Sequence, residues 1–360
     1  MSVLAVYLAR LVLVRFALLL VGLTAFLLAL DLMANAEAVL SEGDSAFLLA
    51  RYAVLRASIV ASDMIKIAAL LAGLLSFATM IRHGELVAAW NAGVSQVGLF
   101  RHLLPAALLI GGLQFVIDDI AVPFSVDALK AWGVADYRPG RDGNSRGKIT
   151  WIHVGDDIVR VPTANIVGSS LSDFAIFQRD PEGTLLARLD VASAQYRNGS
   201  WELNDITVTT SGNGARHHEA RRDWPIRLNP DSLAHLSSHP RQLSFGQTLR
   251  FAGGDGQGTF APYVYQTWLY EKLSACLVPL LMLLLSAALA QRTQRAGHVE
   301  LIYLFGAIIG FAFFIFNGVA LAMGEVGMLP PLFASLSPVI AFTAVAASVI
   351  FWHELKPRPA

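Results

Sequence analysis

Charge is scarce in this chain. Only 15% of its 360 residues are Asp, Glu, Lys or Arg, and 55% are apolar, whereas soluble domains carry roughly 25% charge. A soluble fold of this length needs more charged surface, so the shortfall points to an exterior that faces lipid. The 27 basic and 27 acidic residues cancel, which excludes a generalised attraction to nucleic acid. Cysteine is nearly absent. Cys276 alone can close no internal disulfide and build no thiolate metal site, and inside an apolar run it reads as a small buried hydrophobe. No internal repeat is visible.

What is present is a set of long apolar runs. A membrane helix needs about 20 mostly apolar residues, because 1.5 Å of rise per residue must cover roughly 30 Å of hydrocarbon. Six stretches qualify: Leu11 to Leu30, Ile59 to Ile81, Leu103 to Ile120, Ser274 to Ala290, Leu301 to Met323 and Leu332 to Trp352. The first runs too long for a signal peptide and no small-residue cleavage pattern follows promptly, so it reads as an anchor. Basic residues of short loops resist translocation. Arg10 and Arg15, Arg82 and Arg101, Arg292 and Arg295, and Lys356 and Arg358 all fall on one side of the six spans. Both termini are therefore expected in the cytoplasm, with the interval from about Ala121 to Leu273 outside.

That interval reads as β structure. Trp151 to Val154 and Asp157 to Val161 are short β-rich runs joined by Gly155-Asp156, a hairpin signal. Phe174 to Phe177 follows, then a turn at Pro181-Glu182-Gly183 and an alternating run from Leu185 to Ala192. Asn198-Gly199 is the strongest hairpin turn in the chain. Beyond it the apolar parity changes from Trp201 and Leu203 to Ile206 and Val208, which predicts a bulge near Asn204-Asp205. Strands at this spacing suggest a sandwich or jelly roll, and 253–258 reads as a flexible connector back to the membrane. The fold class expected is thus a six-span α-helical membrane protein with an inserted all-β, jelly-roll-like domain. Its segments are residues 1–120, with a cytoplasmic helix at about 84–97, then 121–265 for the β domain and 266–360 for the last three spans.

Several motifs weaken on inspection. Gly140 to Lys148 resembles a phosphate loop, but Asp142 stands where the first glycine belongs and Ile149 where the magnesium-binding hydroxyl belongs, so it reads as a solvated loop. His217-His218-Glu219 offers metal-ligand types, yet adjacent residues of a strand point to opposite faces and no third ligand follows at a helical spacing. His83-Gly84-Glu85 lacks the cysteine pair a zinc deaminase needs. Asn198-Gly199-Ser200 fits a glycosylation acceptor but is better explained as a turn. No metal site and no cofactor is expected of this chain.

Two places carry more information. Between Arg82 and Arg101, residues Leu86, Val87, Trp90, Val94 and Val97 fall on one helical face, and Glu85 lies in the first turn. Glu85 there can serve the helix dipole, or the helix can act as a docking peg for a cytoplasmic partner. The second place is a group of charges near the outer surface: Arg51, Arg56, Asp63 and Lys66 around the second span, with Asp118 and Asp119 ending the third. Ionisable groups at membrane depth cost ~3 kcal/mol or more unless paired or hydrated. Asp63 and Lys66, three apart, can neutralise one another, or the cations can meet an anionic lipid head group.

The order of three spans, an exported β domain and three spans resembles the lipopolysaccharide export permeases LptF and LptG. Gly84-Glu85-Leu86-Val87 followed by Asn91-Ala92-Gly93-Val94-Ser95 is similar to the family's coupling-helix stretch. Asn229 to Leu233 resembles the segment leaving the β domain in the LptG branch, and Leu329-Pro330-Pro331 with Leu336-Ser337-Pro338 resembles that branch's last connection. The resemblance covers nearly the whole chain. It implies a non-catalytic subunit of an ATP-driven transporter in the bacterial inner membrane, with its β domain in the periplasm. The partners implied are a sister permease, LptF, an LptB ATPase dimer that binds the ATP, and the single-span LptC. Glu85, Leu86, Trp90 and Gly93 would couple to the ATPase, and the first and fifth spans would form lateral gates. The LptG branch carries lysines just outside the first span, whereas Asp31 to Leu40 here contains no basic residue; Arg51, Arg56 and Lys66 are the candidates to meet lipid head groups instead. Two rivals are a membrane-embedded enzyme acting on lipid, for which no convergent nucleophile, base or metal set is visible, and an envelope scaffold whose β domain binds partners.

Overall fold

The computed structural model describes residues 3–41, 46–134, 137, 149–162, 166–167, 170–180, 182–197, 200–211, 214–224, 238–253, 258–296 and 301–354. The phosphate-loop-like 140–148, the turn 198–199, the segment 229–233, most of the connector (254–257), and Lys356 and Arg358 lie outside these. The chain divides into a helical unit, Met1–Ala135 with Tyr270–Ala360, and a second unit, Asp136–Leu269.

In the helical unit, α1 (Val3–Leu40) and α2 (Ala46–Arg82) are much longer than the apolar runs that announce them. At 1.5 Å per residue each spans roughly 55 Å, so both overshoot the hydrocarbon. Helix α2 stops at Gly84, whose φ of 70° favours a residue without Cβ. The short α3 (Glu85–Asn91) follows and ends before Gly93, at φ 84°. Ser95 then caps α4 (Gln96–Val116), its Oγ accepting the Gly98 N–H at 2.9 Å. The helix expected over 84–97 is thus two pieces, because Gly93 takes the chain into a left-handed turn between them.

The third span does not end at Ile120. A π-turn at Ile117–Ala121 leads into α5 (Val122–Trp132), and the run Gly98–Trp132 is 35 residues long. Residues 121–135 therefore belong with the spans, and the units divide at 135/136 and 269/270 instead of 120/121 and 265/266. Pro123 explains the widened turn: it has no N–H for a carbonyl one turn earlier.

Helix α7 (Pro262–Ala275) begins within the second unit and meets α8 (Val278–Ala296) at a 49° bend; α9 (Leu301–Glu325) and α10 (Pro331–Glu354) follow. The fourth span is thus a broken one. Pro279 cannot donate to the Ala275 carbonyl, so the helix breaks at Cys276-Leu277. Among the described residues, five helices are long and apolar enough to cross a membrane, six when the bent pair counts as one span. Gly306 and Gly310 of α9 lie where a Cβ would strike Leu74 and Leu70 of α2, the small-residue contact by which membrane helices approach closely.

The second unit holds β1 (Ile149–Val154), β2 (Asp157–Pro162), β3 (Ile166–Val167), β4 (Ser170–Arg179), β5 (Leu185–Arg197), β6 (Ser200–Thr210) and β7 (Arg216–Trp224). They form one antiparallel sheet in the order β1-β2-β4-β5-β6-β7, with β3 beside β4. The inserted all-β unit is there, and its described strands follow one another as a meander. Val154 pairs with Asp157 around Gly155 at φ 61°, the two-residue hairpin the sequence predicts.

The parity change at Asn204-Asp205 is also present. Trp201 and Leu203 are buried, then Ile206 and Val208, and Asp205 stands at φ 57°. Asp173 of β4, at φ 49°, lies on the same transverse row, where the pairings of β4 with β5 and β5 with β6 each miss one rung. Every strand on that row carries one additional residue, so no register slips and the sheet creases across its width. The apolar face is closed in part by Leu243, by Phe251 and Ala252 of α6 (Phe245–Ala252), and by Tyr265 and Leu269.

Candidate functional site

Helix α3 begins with no side-chain cap, since its N-cap is Gly84. The Glu85 carboxylate is turned to another use: its Oε2 accepts the Tyr7 hydroxyl of α1 at 2.9 Å. Leu86 is fully buried in the core that also contains Leu8, Val12 and Leu99, and Trp90 and Val94 pack against that core. Leu86 and Trp90, four apart, share the inward face. Val87 is 42% exposed, since one residue on a helix turns the side chain by about 100°, and Val97 falls in the first turn of α4. Of the face read from the sequence, Leu86, Trp90 and Val94 pack inward and Val87 does not. Trp90 Nε1 is buried with no hydrogen-bond partner among the described residues. Gly93 provides the left-handed turn that ends the peg.

The three candidate head-group cations have different surroundings. Arg56 donates to Asp31 Oδ1 of α1 from Nη2 at 3.0 Å and Nε at 3.1 Å, and Tyr52 donates to Asp31 Oδ2 at 2.8 Å. Lys66 meets Glu271 Oε1 at 3.2 Å. Asp63 is exposed and Glu271 is 5% exposed, so the buried carboxylate has the greater need of the cation. Arg51 is exposed and lies 4.5 Å over the Trp132 ring of α5, a cation–π contact. The fold does not gather the three: along α2, Arg51 and Lys66 are about 22 Å apart.

Glu271 belongs to a polar network that sequence reading missed. Its Oε2 accepts the Ser274 hydroxyl at 3.0 Å. Next to it, the 6% exposed Lys272 donates to the Asp118 carbonyl at 3.0 Å. The π-turn explains why that carbonyl is available. The Val122 N–H, which would serve Asp118 in an α-helix, bonds Ile117, and the next donor along would be Pro123, which has none. The Asp118 carboxylate accepts from Ser62 and, at 2.6 Å, from Gln114 Nε2. So α2, the π-turn and α7 are joined by side chains that each satisfy a group buried by the others. The visible signals were the pair Glu271-Lys272 before an apolar run and Gln114 inside one.

In the second unit, β7 closes the apolar face with charge. Ile206 pairs with Glu219 and Leu203 with Arg222. Glu219 accepts from Arg222 at 2.7 Å and contacts His217 Nε2 at 3.0 Å, and the Arg222 hydrogen bond holds its carboxyl below the usual range. Charge along an exposed strand discourages further pairing there. His217 and His218 engage different carboxylates, Glu219 and Asp205, consistent with their opposite facing.

Comparison with known proteins matches this layout. The family model described as lipopolysaccharide export system permease LptF/LptG matches residues 6–353. The lipopolysaccharide export system permease protein LptG of Haemophilus influenzae is 21% identical over 306 residues, 81% of each chain. The matched range runs through the spans, α3 and the inserted sheet, and the chain belongs to the LptF/LptG family of lipopolysaccharide export permeases, multi-pass proteins of the inner membrane.

Proposed function

We propose that this chain is the LptG-type permease subunit of an ATP-driven exporter that extracts lipopolysaccharide from the inner membrane and passes it toward the outer membrane. The observation that carries the reading is the family match over 6–353, uninterrupted from the first span to the last. In this reading the chain pairs with LptF, an LptB dimer and LptC. ATP is bound by LptB, and the chain contributes no hydrolytic group. Both termini and α3 face the cytoplasm and the sheet unit the periplasm, which the positions of Arg10, Arg82 and Arg101 support.

The division of labour has a physical basis. Exposing acyl chains to water costs ~0.8 kcal/mol per CH₂, so a lipid with several chains needs a continuous apolar path. Spans supply its first part and the apolar face of the sheet the next. Among the three cations, Arg51 is the first to meet a lipid phosphate, because Arg56 and Lys66 already have Asp31 and Glu271. Glu85, Leu86, Trp90 and Gly93 form the handle that the ATPase moves.

The test is Glu85→Ala in the assembled complex. The variant should stay bound to the ATPase while lipid released per ATP falls roughly tenfold, a coupling free energy of ~1.4 kcal/mol. Unchanged export per ATP would remove the coupling role and favour a scaffold.

A further inference from the structure

Helix α1 is the least enclosed of the long helices: only 11% of its most apolar window is buried. Its inward stripe, Leu8, Ala9, Val12 and Phe16, packs near the N-terminal end, and farther along Leu18, Val21, Phe26 and Met33 are all more than half exposed. Its inner side packs along α2 and α4, and polar ties add to that packing. Three occur. Tyr7 donates to Glu85 at 2.9 Å, Arg15 Nη1 donates to the Leu75 carbonyl of α2 at 2.6 Å, and Asp31 holds Arg56 and Tyr52. They are spaced about 12 and 24 Å along the helix. The Arg15 and Asp31 ties reach α2; the Tyr7 tie reaches α3.

Helix α3 is itself set between two left-handed glycines, Gly84 and Gly93, and a Cβ at either would meet nothing within 4 Å. Those glycines are there for backbone conformation and not for packing. Leu86 and Trp90 hold the inner face of α3, and its first turn carries the Glu85 carboxylate. Any tilt displaces the Glu85 carboxylate, and with it the hydroxyl that carboxylate holds.

We propose that Tyr7 is a positioning residue that conveys the movement of α3 to the base of α1, through a hydrogen bond from its hydroxyl to Glu85. The proposal rests on the coupling role given above to Glu85. Tyr7→Phe keeps the ring and removes only the donor. In the complete complex with the sister permease and ATPase, Tyr7→Phe should leave assembly and ATP hydrolysis unchanged and lower lipid released per ATP by about three- to tenfold, the range of one ordinary hydrogen bond between exposed partners. In a Glu85→Ala background the same change should add nothing, since the acceptor is already gone. A merely structural Tyr7 would lower assembly or hydrolysis and leave the ratio alone. If Glu85→Ala lowers the ratio and Tyr7→Phe does not, or if the two effects add, the link through Tyr7 is overturned while the coupling role stands. If Glu85→Ala itself leaves the ratio unchanged, both are overturned.

Discussion

Glu271→Ala is expected to destabilise the protein by about 3–5 kcal/mol, because it leaves the largely buried Lys66 without the carboxylate it meets. The side chains of Lys66 and Glu271 are only 17% and 7% exposed, and the Ser274 hydroxyl loses one of two acceptors in the same step, keeping the Glu271 carbonyl at 3.1 Å. A buried pair is costly to break but not costly to replace, since two apolar side chains of similar size avoid both desolvation penalties. The double variant Lys66→Met with Glu271→Met should therefore recover most of the loss. Thermal unfolding in detergent reads both. Equal losses in the single and double variants would mean that the pair's charges do not set its energetics.

Gly111→Ala should be nearly as damaging, for a steric reason. A Cβ at Gly111 would fall on the carbonyl oxygen of Cys276, at the bend between α7 and α8. The atom it meets is backbone, so relief requires α4 or the bend to move, at roughly 1–3 kcal/mol or more. The adjacent Gly112 has nothing within 4 Å. Gly112→Ala should be neutral, or stabilising by up to ~1 kcal/mol through helix propensity. The contrast between neighbours, measured as unfolding midpoints, separates close approach from a general intolerance of substitution in this helix.

Much of the architecture was legible because it depends on local pattern. Apolar runs mark spans, and alternation with turn residues marks strands. The crease at Asp205 was visible as a change of parity between Leu203 and Ile206. Its partner at Asp173 was not, since only cross-strand pairing reveals that the two irregularities share a row. Breaks in pattern misled in two places. Asp118-Asp119 suggested the end of the third span, but the helix absorbs them in a π-turn and continues to Trp132. Glu271-Lys272 interrupted the fourth apolar run, which hid the first part of a broken span. The capping box of α6, Ser244 with Gln247, was a local signal available to a closer reading. Long-range ties were beyond local reading: Lys66 and Glu271 are 205 positions apart and Tyr7 and Glu85 are 78 apart. At the candidate site the sequence pointed to Glu85 and a short helix but not to Tyr7, whose hydroxyl Glu85 accepts.

On the proposed reading the permease is driven from one end: Tyr7 ties α3 to the base of α1, and the Glu271 network joins α2, the π-turn and α7. The most direct measurement is lipopolysaccharide release from proteoliposomes containing this chain with its sister permease and ATPase, followed with and without ATP. Release that needs ATP, with the lipid chemically unchanged, is the predicted result. Release without ATP, or conversion of the lipid by this chain alone, would contradict the account.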